Sequence, residues 1–149
     1  MIHASRLNIL PPLIYEHYGV YIGNDEVIHF TDKGAHKVTL PEFISYANRS
    51  DCYVKPFPES RTALKIILKN RMKTPDDVEK MLAELDKAGY QFFSGAKVVQ
   101  RAISAVGSPK WAASEYSLRN KNCEHFAFWC KTGVEHSTQI DHYSKIVFD

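Results

Sequence analysis

The chain has 149 residues, 44% of them apolar and 24% charged, with 19 Lys and Arg against 17 Asp and Glu. That length supports one domain, residues 1–149, around a real hydrophobic core, and the composition excludes wholesale disorder. A net charge of +2 and a pI of about 8.4 lack the concentrated basic face of a nucleic-acid binder, so no nucleic-acid partner is expected.

The N-terminal stretch has no apolar segment of signal-peptide length behind positive charge, and Pro11 and Pro12 interrupt its only apolar run. No run elsewhere approaches the roughly 18 apolar residues of a membrane span. The three cysteines, Cys52, Cys123 and Cys130, are few and odd in number, which suits a reducing compartment better than a disulfide framework. A cytoplasmic protein with at most peripheral membrane contact is expected.

Ile14 to Phe30 reads as a β-hairpin, with Tyr18, Val20, Tyr21 and Ile22 ahead of a Gly23-Asn24-Asp25 turn and Val27-Ile28-His29-Phe30 returning. Further strands are expected at Lys37–Leu40 and Asp51–Lys55, with Pro41 and the Pro56/Pro58 pair as breakers. Arg61–Lys73 reads two ways. Arg61, Lys65, Lys69 and Lys73 recur every four residues, and on a helix they form one basic stripe that suits an anionic membrane surface. The favoured reading is plainer, a solvated face of a packed helix or a strand through Ile66-Ile67-Leu68.

Thr74-Pro75-Asp76-Asp77 starts a helix, with a capping hydroxyl, proline at the first position and acids in the first turn. Val78, Met81, Leu82 and Leu85 follow at helical spacing until Gly89. A second helix is expected from Ser94, with Val98, Val99, Ala102, Ile103 and Val106 on one face, stopping at Gly107, and a third from Asn122 to Gly133. Strands first and helices after make the fold class α+β.

The chemistry concentrates at Asn122-Cys123-Glu124-His125. Asn is a strong N-cap, so Cys123 falls at the first helical position, where unsatisfied N–H groups and the helix dipole favour a thiolate. The bland alternative is a small buried hydrophobe packing with Phe126, Ala127 and Cys130. If that segment is helical, Cys123 and Cys130 stand about 10 Å apart, beyond disulfide reach. The hairpin adds His17 and His29. With an even loop and regular pairing His29 sits opposite Val20 and turns away from His17; an odd loop or a bulge sets it opposite Gly19, diagonal to His17.

With that geometry His17 takes the proton from Cys123 and His29 holds the tautomer of His17. The N–H of Cys123 is the first candidate for an oxyanion donor, with Asn122 beside it as the helix cap. His125 reads as structural. Zinc is disfavoured, because His17, His29, Cys123 and His125 contain no close ligand pair of the usual kind. No metal or other cofactor is expected.

Two blocks resemble a known family: His17-Tyr18-Gly19-Val20-Tyr21-Ile22-Gly23 with Val27-Ile28-His29-Phe30, and Asn122-Cys123-Glu124-His125-Phe126-Ala127 through Gly133. They look like the signature blocks of the lecithin retinol acyltransferase family, and Val98-Val99-Gln100-Arg101-Ala102 and Tyr116-Ser117-Leu118 resemble it too. The resemblance implies a circularly permuted papain-like fold of the NlpC type, with Cys123 as nucleophile, His17 as base and His29 as third member. It also implies transfer or hydrolysis of acyl groups from phospholipid or another acyl ester through a thioester. Several animal members end in a membrane anchor, which the ending Lys145-Ile146-Val147-Phe148-Asp149 does not match, nor does the stretch from about Ser60 to Phe93. The competing readings are a cysteine peptidase or amidase on the same scaffold and a catalytically silent interaction module.

Overall fold

The computed structural model describes residues 2–7, 14–45, 52–135, 141–143 and 146–147. Pro11, Pro12 and Asp51, the first residue of an expected strand, lie outside them, as does most of the chain's last stretch. Five strands form one sheet: β1 (Ile2–Leu7), β2 (Ile14–Gly23), β3 (Glu26–Thr31), β4 (Gly34–Thr39) and β5 (Cys52–Val54), in the order β4-β3-β2-β1-β5. Every pairing is antiparallel. β1 escapes a reading of the sequence because Ile2-His3-Ala4-Ser5-Arg6-Leu7 has little apolar alternation; its partners on both sides define it.

After β4 the chain turns at once into a short helix, α1 (Leu40–Ser45). Pro41 thus stands in the first turn of a helix, where its missing N–H is no loss, and its Phe43 is fully buried. Among the described residues, longer helices follow: α2 (Arg61–Arg71), α3 (Pro75–Lys87), α4 (Gly95–Ala105) and α5 (Cys123–Thr132). Hydroxyls of Ser60, Thr74 and Ser94 cap α2, α3 and α4 by accepting from N–H groups three residues on.

Arg61–Arg71 is a helix, and it buries Leu64 and Leu68 against Val78, Leu82 and Leu85 of α3. Arg61 pairs with Asp86 at 2.5 Å and Lys65 with Glu79 at 3.1 Å, so two cations of the expected stripe meet acids of α3, and Lys73 falls off the stripe because the chain is extended at Met72. In α4 the inward face is Val98, Ala102 and Ala105, while Ile103 is 54% and Val106 44% exposed. Of the expected apolar face, Val98 and Ala102 point inward and Val99 is half-buried, while Ile103 and Val106 turn outward on the helix. Two apolar stripes run along it, and packing against Val20, Ile28, Phe30 and Phe126 selects the one with small residues, which lets α4 approach closely. Among the described residues, no helix is long and apolar enough to cross a membrane.

Candidate active site

The hairpin of β2 and β3 closes through Asn24 and Asp25, both left-handed at φ 53° and 56°, with Gly23 opposite Glu26. Carried down the strands unchanged, that even loop would place His29 opposite Val20. It is not carried down. The register shifts between Tyr21 and Gly23, so Tyr21 faces Val27 and Val20 faces Ile28. Ile22 is the extra residue of a bulge, and one step further along the same register Gly19 faces His29. The hairpin thus has the even turn and the bulge together, and the bulge restores the parity that brings the histidines to one face.

His17 Nε2 stands 2.7 Å from His29 Nδ1, with both rings essentially inaccessible to solvent. Phe43 of α1 packs on both, with ring centroids 5.0 Å from His17 and 5.8 Å from His29. Gly19 makes room for this: a Cβ there would lie 2.9 Å from Phe43 Cε2 and 2.7 Å from Val27 Cγ1. Burial, with the neighbouring His17 and His36 adding to it, lowers the pKa of His29 from 6.5 to about 3. His29 is therefore a neutral imidazole at any ordinary pH.

His36 was not among the residues singled out from the sequence. The two-residue turn Asp32-Lys33 pairs Thr31 with Gly34 and so sets His36 opposite His29, with His29 Nε2 and His36 Nε2 3.1 Å apart. That short turn between two histidine-bearing segments was the available signal. The imidazoles bond in series rather than converging on a centre, and among the described residues no group of three His, Cys, Asp or Glu side chains is arranged to hold a metal ion.

Cys123 is the first residue of α5 and is buried at 3% exposure. Oδ1 of Asn122 accepts from the N–H groups of Glu124 and His125, and His125 Nδ1 accepts from the N–H of Asn122 at 3.1 Å. This reciprocal cap makes His125 structural and leaves Asn122 as the cap, its amide nitrogen donating to the Leu118 carbonyl at 2.9 Å. The other end of α5 is held as firmly. Gly133 takes the left-handed C-cap at φ 79°, and Arg101 donates to the Trp129 and Cys130 carbonyls while stacking over Trp129 at 4.0 Å.

Cys123 packs with Tyr18 and Ala127, and it comes to lie near His17 and His29. Lys55 donates to the Tyr18 hydroxyl at 3.2 Å, bringing a cation to the same cluster. No disulfide joins Cys52, Cys123 and Cys130. Burial pushes Cys130 up to about 12, whereas Cys123 has the helix N-terminus beside it.

No curated protein and no solved structure matches the chain. The family model described as lecithin retinol acyltransferase matches residues 1–136, spanning the hairpin, α4 and all of α5. On that match the chain belongs to the lecithin retinol acyltransferase family.

Proposed function

We propose that the protein is a thiol-dependent acyltransferase or phospholipase A-type hydrolase that moves an acyl group from a lipid ester through a thioester on Cys123. The observation that carries the reading is the buried 2.7 Å contact between His17 Nε2 and His29 Nδ1, next to a cysteine at a capped helix N-terminus. The family match supports it. In this reading His17 Nδ1 accepts the thiol proton and the thiolate attacks the acyl carbonyl. The N–H of Cys123 meets the oxyanion. As the tetrahedral adduct collapses, imidazolium His17 returns its proton to the leaving alkoxide. An acceptor hydroxyl, amine or water then loses a proton to His17 and takes the acyl group, and the expelled Cys123 thiolate recovers that proton from His17 to regenerate the thiol.

The fold belongs to the same proposal: a circularly permuted papain-like arrangement of the NlpC type, with histidine-bearing strands ahead of the cysteine helix. Phospholipid as donor is supported by the surface of α2, where Ile66 is 56% exposed and Lys69 follows one turn on. Transient contact of Arg61, Lys65, Lys69 and Lys73 with an anionic bilayer is part of the reading, with Arg61 and Lys65 exchanging their acidic partners for headgroups.

The test is intact-mass analysis after incubation with phosphatidylcholine and, separately, with a short activated ester. An acyl adduct that vanishes in Cys123→Ala is expected from both. Adduct from the activated ester alone would remove the lipid part, and neither adduct nor turnover from either substrate would sink the enzyme.

A further inference from the structure

We propose that His36 is a positioning residue that sets the proton arrangement of the whole histidine series, from the Gly34 carbonyl through His36 and His29 to His17. This inference rests on the reading of His17 as the base and adds a residue to it.

The argument follows from which atoms can donate. His36 Nδ1 is 2.8 Å from the Gly34 carbonyl oxygen, and a carbonyl only accepts, so the proton of neutral His36 is on Nδ1. Its Nε2 is then an acceptor. His29 Nε2, 3.1 Å away, must donate to it. Neutral His29 has one N–H, so its Nδ1 becomes an acceptor, and across the 2.7 Å contact His17 Nε2 is the donor. The lone pair of neutral His17 is thereby left on Nδ1. That is the tautomer a general base needs when its other nitrogen faces His29. The same arrangement accommodates His17 once it is protonated, since its Nε2–H still meets an acceptor.

The starting point of the series is rigid. Gly34 has φ +85°, and a Cβ on it would lie 3.0 Å from Ala113 N and 3.1 Å from the Trp111 oxygen, so packed backbone holds this peptide in place. His29 by itself has no such preference. An imidazole that donates from Nδ1 to His17 would be as good a neighbour, and it would put the His17 proton on the wrong nitrogen. Without an acceptor at position 36, the burial of His29 favours that reversed state, because an Nε2–H facing an apolar replacement is left unsatisfied. His36 acts on His17 as the hydrogen-bond partner of a metal-bound histidine acts on its ligand, by fixing the tautomer from outside.

The experiment is long-range proton–nitrogen NMR of 15N-histidine-labelled protein, read without substrate. Nε2–H tautomers at His17 and His29 and Nδ1–H at His36 are expected; Nδ1–H at His29 would overturn the proposal. His36→Leu is expected to slow ester turnover and iodoacetamide alkylation of Cys123 by about ten- to a hundredfold, with the circular-dichroism spectrum retained. His36→Gln, which can place an acceptor oxygen near the Nε2 position, is expected to restore most of both. Wild-type rates in His36→Leu, or equal losses in the Leu and Gln variants, would overturn it. Failure of the acyltransferase reading is distinguishable, because the tautomers are read on the resting protein whether or not an acyl adduct forms.

Discussion

Gly19→Ala is the most economical perturbation of this site. The added methyl would stand 2.7 Å from Val27 Cγ1, 2.9 Å from Phe43 Cε2 and 3.3 Å from the Ile28 carbonyl oxygen. Ordinary carbon contacts lie near 3.5–4.0 Å, so the two side chains must yield by about 1 Å. Val27 and Ile28 belong to a strand paired on both sides, so the movement falls on Phe43 of the short helix α1. Overpacking of this kind costs about 1–3 kcal/mol, a fall of roughly 3–10 °C in Tm for a domain of this size. Because Phe43 packs on both His17 and His29, the imidazole pair shifts with it. A misplacement of about 1 Å lowers kcat by as much as a hundredfold. Urea denaturation and ester turnover read the two effects, and Phe43→Leu in the Gly19→Ala background is expected to recover part of the stability through relief of the Cε2 clash. Stability within about 0.5 kcal/mol of wild type with kcat unchanged would refute the close approach as the reason for glycine.

Three further outcomes follow from the electrostatics and capping of the site. His29 has a folded pKa of about 3 against 6.5, so its contribution to stability is present above pH 6.5 and is lost as pH falls toward 3, by roughly 1 kcal/mol per pH unit. Urea midpoints across that window are expected to fall less steeply in His29→Asn, and equal slopes would count against a neutral buried imidazole. Iodoacetamide near neutrality is expected to label Cys123 at least about tenfold faster than Cys130, whose thiol burial holds protonated; peptide mapping showing Cys130 modified first would contradict this. Asn122→Ala removes the acceptor of two helix N–H groups and is expected to cost about 1 kcal/mol, whereas Asn122→Asp keeps the acceptor and most of the stability; chemical denaturation of the pair decides it.

The local rules of the sequence reach a good part of this protein. Thr74-Pro75-Asp76-Asp77 starts α3 and its four predicted core residues are buried; Asn122 caps α5 and Gly133 ends it. Those features depend on side chains acting on backbone within one turn, so the residues themselves suffice. The family, too, is legible in the two blocks around His17 and Cys123. Which apolar stripe of α4 turns inward is a different kind of question, since both stripes satisfy the helical period and only the neighbouring sheet and α5 discriminate between them.

The same division runs through the site. The sequence determined that two histidines flank a turn and that a cysteine opens a helix, but not that they share a place. Strand parity is a sum over the whole hairpin, so one bulged residue, Ile22, decides the face on which His29 lies. His36 enters only through pairing between β3 and β4, a relation between separate strands that no short motif encodes. What tertiary structure decided was therefore register: the face shared by His17 and His29, and the series of contacts that runs from the Gly34 carbonyl through His36 and His29 to His17.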